Sequence, residues 1–429
     1  MPIDQSNTAA KRWNSRTVRA LVGLVVVLAI MYFAFFRPTP WGPMGENPTA
    51  GEDTLTAEIV ASAIRMVDQS HAAMVANPVP DNPPGAPANQ LSDRQPYRRD
   101  VHAKTYGCLR AKFKVLPNLD SAYALGLFAQ PQEYQAWVRY SSGNTHVQDD
   151  REKDARGMAI KVMGVSGRKL LEDDGVPHAE TQDFALMNAN QFFIRDLPEY
   201  LAFTNYLGQG SNYGYFFGGF TPDLPQKNWG KMFNFKGYHV REMMLALKTL
   251  KPPPDSLLNT DFFSVSAYTL GSQQFVKYAA KPCAPTGKAA RVNHDDPNFL
   301  RQEMVERLKD GSACFDFMVQ RQVAGKNMPV EDTTVEWSES DSPFVPVARI
   351  EIPKQSFVEN QDVCENLTFN PWYSLPEHRP VGVMNRVRKP LYLEVARYRR
   401  TRNGEQPLCE PKNFDEIDPD SCEQQQNSN

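Results

Sequence analysis

Four runs between residues 104 and 188 constrain this chain most: "KTYGCLRAKFKV", "AWVRYSS", "GMAIKVMGV" and "DFALMN". Each alternates, or runs apolar, for a strand's length between turn residues. Such a series predicts an antiparallel sheet or barrel. "ACFDFMVQRQV" and "PVARIEI" read as two later strands that return to it. Helices are expected at "PEYLAFTNYL", at "VREMMLALKTL" and in "DDPNFLRQEMVERLKDG", where Asp296 reads as N-cap, Pro297 as the first helical residue and Gly311 as the stop. The last element, "GVMNRVRKPLYLEVARYRR", has a helical pattern in which Pro390 predicts a kink or a boundary. The expected fold class is therefore α+β: an antiparallel β-barrel with surrounding helices, one domain over residues 97–405. A barrel of this size is able to enclose a ligand.

Upstream, a basic stretch, "KRWNSRTVR", precedes Ala20 to Phe36, 17 residues without a charge and the lower limit for a bilayer span. A cleaved signal peptide and an uncleaved anchor both fit. No small-x-small cleavage pattern follows, which favours the anchor. The basic flank then puts the N-terminus in the cytoplasm and the bulk of the chain across the membrane, in a bacterium the periplasm. Residues 1–37 are thus read as basic flank and membrane or signal segment. Residues 38–96 are read as tether, amphipathic helix (Leu55, Ile59, Ile64, Val67) and proline-rich arm, and 406–429 as a polar tail that frays.

The net charge of −3 with scattered basic residues gives no electrostatic support for a nucleic-acid partner. The six cysteines contain no CxxC and no CxxCH, which excludes covalent c-type haem attachment. Cys409 and Cys422 make the best disulfide candidate. There is no GxGxxG, no phosphate loop and no serine-nucleophile elbow. His71, His146, His178, His239, His294 and His378 stand alone and read as surface residues.

Two sites carry chemistry. In "RRDVHAK", His102 follows Arg99 by three residues, and on its own this is an ordinary strand histidine. In "RVRKPLYLEVARYR", Arg388 precedes Tyr392 by four, which on a helix puts guanidinium and phenol on one face. A fixed positive charge favours the phenolate, one use of which is axial ligation of ferric haem. By itself the spacing is equally that of a plain Arg–Tyr contact.

The order of the fragments decides between these readings. "RDVHAK", "VRYS", "DARGMAIKV", "NANQFFIRD", "ENLTFNP" and "RKPLYLEVARYR" occur in that sequence. Over roughly residues 97 to 400 the set resembles the haem-dependent catalase family, with its Arg-x-x-His-Ala-Lys, Val-Arg-Phe-Ser and proximal Arg-x-x-x-Tyr. Arg397, Tyr398 and Arg399 also stand at the family's offsets from the tyrosine. The resemblance implies a catalase-like fold with non-covalent b-type haem. It implies His102 as distal acid/base, Ser141 as the hydroxyl that holds its tautomer, and Arg99 and Arg139 as partners of the haem propionates. It implies Tyr392 as the iron's axial ligand, with Arg388 keeping it ionised, and Asp154 as a channel carboxylate. The family's distal Asn falls on Met187 here, so Asn188 is taken with a one-residue adjustment, and Tyr200 stands where the family stacks a Phe on the haem.

The implied activity is decomposition of hydrogen peroxide, or its use to oxidise an organic co-substrate. Rearrangement of lipid hydroperoxides and haem binding without turnover are the alternatives. The family commonly forms tetramers, which makes a homo-oligomer an expectation.

Overall fold

Among the described residues nine strands follow one another, and every pairing between them is antiparallel: β1 (Thr105–Val115), β2 (Glu133–Ser141), β3 (Gly157–Met163), β4 (Thr181–Met187), β5 (Phe262–Phe263), β6 (Tyr268–Leu270), β7 (Gln274–Pro282), β8 (Ala313–Arg321) and β9 (Val345–Ile352). The computed structural model describes residues 44–76, 96–272, 274–283, 288–358, 365–405 and 410–415. The sheet runs β5-β4-β3-β2-β1-β9-β8-β7-β6 and closes because β5 pairs with both β4 (Met187↔Phe263) and β7 (Phe262↔Ala280). Eight strands form the ring, and β6 adds to the edge of β7 through Tyr268↔Val276. The expected barrel is present. Strands β5 and β6 are too short to leave a period in the sequence.

The expectation of a ligand inside the barrel is corrected. Alternate residues of each strand fill the lumen: Leu109, Ala111 and Phe113 from β1, Val138 and Tyr140 from β2, Phe184 from β4, Tyr278 from β7, Phe317 from β8. Phe184 and Phe317 have ring centroids 4.7 Å apart, and Tyr278 lies 5.4 Å from Phe317. In an eight-stranded ring, aromatic side chains from facing walls reach each other and leave no chamber.

The opposite phase of the same strands points outward, and much of it is buried too. Arg139, Ser141, Lys161 and Asp183 are each 3% exposed or less. Glu410 and the segment carrying Asn370 and Tyr373 cover Lys161 and Asp183, and His102, before β1, meets Arg139 and Ser141; helices pack farther along the wall. The helices are α1 (Glu52–Ala76), α2 (Leu197–Leu207), α3 (Val240–Thr249), α4 (Phe299–Asp310) and α5 (Val383–Asn403). α1 and α2 join Val387, Leu391 and Val395 of α5 in a second apolar cluster outside the barrel. The packing of these three residues carries α5 past Pro390 without a break, so the proline does not delimit it. α2 begins as a capping pair: Asp196 accepts from Glu199 N at 3.0 Å, and Arg195 N donates to the Glu199 carboxylate at 3.1 Å. α4 begins two residues later than expected, because the Asp296 carboxylate accepts from Asn298 N (2.7 Å) and closes a turn there.

Two ends expected to be loose are held down. Glu46 and Glu52, in and just past the expected tether, both pair with Arg386 of α5. In the expected polar tail, Glu410 pairs with buried Lys161, and Phe414 meets Trp137 edge-on at 5.1 Å. Cys283 and Cys314 form a disulfide at the joined ends of β7 and β8, and Cys108 is disulfide-bonded as well. The expected Cys409–Cys422 pair, the 20–36 run and the proline-rich arm lie outside the described residues. Among the described residues, no helix is long and apolar enough to cross a membrane.

Candidate active site

Outward-facing residues of β2, β3 and β4 and one side of α5 line a cavity. It lies between the barrel wall and the helix. Ser141, Ala159 and Ala185 line the barrel side, and Tyr392, Val395, Ala396 and Arg399 line the helix side. Ala159 and Ala185 are directly paired across β3 and β4, so two small side chains flatten this wall.

His102 enters the cavity from the segment before β1, not from within a strand as the sequence suggests. Its φ of +62° is left-handed, a conformation that costs a non-glycine residue about 1–3 kcal/mol. Several bonds hold it there. Arg139 Nη2 donates to the His102 carbonyl at 2.9 Å, and Ala103 N donates to Asn144 O at 3.2 Å. The ring Nδ1 is in hydrogen-bond contact with the Ser142 carbonyl oxygen and 3.2 Å from Ser141 Oγ. A carbonyl only accepts, so Nδ1 carries the proton and Nε2 keeps its lone pair. Burial first, and the Arg139 charge second, push the imidazole pKa down to about 4, so it is neutral near pH 7. Gly157 is required beside it: a Cβ there would stand 2.8 Å from two atoms of the ring.

Guanidinium groups gather at one edge. Arg99, Arg139 and Arg399 line the cavity, and Arg98 is buried beside them. A carboxylate, Glu365, stands among them, 2.9 Å from Arg99 Nη1, 3.7 Å from Arg139 Nη2 and hydrogen-bonded to Thr105. Burial would raise the Glu365 pKa, but Arg99, Arg139, Arg98 and Arg399 outweigh it and hold the carboxyl far below its usual range. Burial, then the neighbouring Arg99 charge, lowers Arg399 to about 10, and its buried Nε has no hydrogen-bond partner among the described residues. The edge therefore carries a surplus of positive charge suited to carboxylates that come from elsewhere.

Tyr392 lines the cavity one helical turn from Arg388. Arg388 Nη1 donates to Asn385 Oδ1 at 3.1 Å. Burial alone would lower the Arg388 pKa, but the phenols of Tyr392, Tyr268 and Tyr200 outweigh it and the net direction is up. Tyr200 is within electrostatic reach of Tyr392 and Arg388, and burial above all raises its own pKa.

Four expected residues are not on the cavity wall: Arg388 and Tyr200, described above, and Asn188 and Asp154. Asn188 is buried, its Oδ1 accepting from Arg156 N at 2.8 Å, directly before Gly157. Asp154 sits in a buried polar network with Arg156 Nη1 at 3.0 Å, Gly143 N at 3.1 Å and Gln148 Nε2 at 3.1 Å. Sequence reasoning assigned no role to Glu365, Arg399 or the cavity-lining Asp100, whose carboxyl burial raises to about 6. Glu365 and Arg399 both lie in fragments already singled out, "ENLTFNP" and "ARYRR". Their convergence on Arg99 was not readable there. His378, read as a surface residue, is 0% exposed, because both ring nitrogens are bonded inside the protein.

The donor set has the chemistry that would suit a flat, dianionic prosthetic group lying against the outer wall of the barrel. The Arg399 Nε, without a partner among the described residues, the other guanidiniums at that edge and the half-buried Tyr392 phenol fit a haem with two propionates and an oxygen ligand to iron. Residues 89–427 match the family model for catalase. The chain is 25% identical over 342 residues to catalase A of Pseudomonas putida, covering 73% of this chain and 64% of that protein. It is 24% identical over 344 residues to a catalase of an Onchocerca volvulus endobacterium, with the same coverage. A fungal catalase structure superposes with a TM-score of 0.54 at 18% identity, over 72% of this chain and 60% of that one. Catalase A from Saccharomyces cerevisiae gives 0.53 at 16%, over 72% and 62%. The two structures establish the fold. The chain belongs to the catalase family, as a divergent branch, and spans 64% of the length of both curated relatives.

Proposed function

We propose that this chain is a haem-dependent enzyme that consumes peroxide, either by decomposing hydrogen peroxide or by using it to oxidise an organic co-substrate. The observation that carries the reading is one cavity lined by both a neutral imidazole and a phenol. Tyr392 would hold the haem iron, Arg99, Arg139 and Arg399 the propionates, and Tyr200 would pack near the same group. When bound, the haem supplies the two-electron redox chemistry.

The chain's own part is proton transfer. His102 Nε2 takes the proton from one peroxide oxygen and delivers it to the other, which leaves as water. The Ser142 carbonyl fixes the tautomer this requires, and the Ser141 hydroxyl supports the ring from the same side. Asn188 acts here by holding the Arg156–Gly157 backbone against the imidazole. Asp154 braces the same segment through Arg156. Arg388 places positive charge one helical turn from Tyr392. On the charge asymmetry around residues 20–36 we assign this chemistry to the periplasmic side of a bacterial inner membrane.

The test is the visible spectrum of the purified full chain, recorded alongside oxygen release from added peroxide. Ferric haem with oxygen evolution, and loss of the haem in Tyr392→Phe, is the expected result. Haem without oxygen release moves the reading to organic co-substrates. A chain that takes up no haem under ample supply overturns it.

A further inference from the structure

The loop at residues 226–238, "QKNWGKMFNFKGY", is built unlike the rest of the surface. Every residue from 229 to 236 is exposed. Trp229 is 61% exposed, Phe233 74% and Phe235 61%. Their neighbours form a connected aromatic face: Phe233 and Phe235 are 6.2 Å apart, and Phe235 and Tyr238 are 5.4 Å apart. Met244 and Leu247 of α3, the next helix in the chain, are exposed as well. A soluble surface rarely leaves so many large apolar groups together without a partner.

The charges select among partners. Lys227, Lys231 and Lys236 interleave with the aromatics, and residues 226–238 contain no carboxylate. A second copy docked symmetrically on this face would set lysines against lysines, which opposes association. An anionic bilayer surface suits both components: Trp and Phe enter the headgroup layer, and each lysine near it adds about 1 kcal/mol. The path of the chain agrees. Asn47 N donates to Glu331 at 2.6 Å, and Arg241, in the first turn of α3, donates to Thr334 at 2.8 Å. Glu331 and Thr334 are three residues apart, at most about 11 Å of chain, so one loop ties both the start of the described chain and Arg241 of α3. The uncharged run Ala20–Phe36 precedes that point in sequence.

We propose that the face formed by Trp229, Phe233, Phe235 and α3 rests in the headgroup layer of an anionic phospholipid bilayer, a second membrane contact separate from the N-terminal run. The test uses the full chain in vesicles of phosphatidylcholine and phosphatidylglycerol carrying brominated acyl chains. The emission difference between the native chain and Trp229→Phe isolates this tryptophan from the other five. The expected result is quenching of that difference by brominated lipid. The double variant Phe233→Ser/Phe235→Ser should lose the quenching while the haem spectrum stays unchanged. A Trp229 contribution that bromine leaves untouched overturns the proposal, whatever the double variant does. Emission already blue-shifted without lipid, with dimers in sedimentation, overturns it in favour of a second copy.

Discussion

Two histidines, His102 at the cavity and His378 in the core, show how differently the two sides of the barrel wall are built. His378 packs against the lumen's aromatics, 4.9 Å from the Phe128 ring. Its Nε2 accepts from Leu127 N at 2.9 Å, and its Nδ1 is 2.8 Å from the Tyr278 hydroxyl. Burial pushes its pKa down to about 3. Both nitrogens are committed, so the ring is a structural part. His102, on the outer side, is equally neutral, yet commits only Nδ1. Its backbone is held in a strained conformation, and it is pressed against a glycine. Similar protonation with opposite bonding separates a fastener from a base. An unspent lone pair facing a cavity marks function, and a low pKa alone does not.

The comparison is broken most directly at His102. His102→Ala is expected to lower oxygen release by about 10²–10⁴-fold while haem absorption is retained, the range for loss of a general acid–base group. His378→Ala should instead lower stability and leave the specific activity of the folded protein near native, and oxygen-electrode assays on both variants check this. On the lumen side, Phe317→Ala should cost about 3–5 kcal/mol in chemical denaturation, because its ring fills a packed centre, with haem affinity unchanged.

A pH titration of stability probes both histidines together. Each has a folded pKa below the ordinary value of 6.5, so the unfolded chain takes up protons first as the pH falls. Stability should therefore drop between pH 6.5 and about 4, by about 3 kcal/mol for each ring. Denaturation midpoints across that window would read it. A flat profile would mean that neither ring is held neutral. The smallest effect is expected from Ser141→Ala. The Ser142 carbonyl still holds Nδ1, so turnover should fall by ten-fold at most, about 1 kcal/mol of barrier.

Parts of the site were readable because their signals are local. Arg388 and Tyr392 share a helix face by spacing, and Arg139 and Ser141 share a strand face by the period of two. His102 was found through its fragment, but its left-handed backbone was not, since nothing in "RDVHAK" encodes φ. Glu365 stayed invisible because its meaning is the arginines around it, which come from residues 98, 99, 139 and 399. Asp154 and Asn188 carried no sign that both would brace Arg156 behind the wall.

The sequence by itself determined six of the nine described strands, the five helices and the order of the fragments that mark the family. Each of these rests on periodicity or on linear order, which the chain carries without folding. Only the tertiary structure decided that the barrel is filled and that the cavity lies outside it. It also decided that Glu410 and Phe414 return to the wall and that His378 is buried. These depend on which strands close the ring and what then lies across it. Closure pairs residues such as Met187 and Phe263, far apart along the chain, and no local pattern records such a pairing.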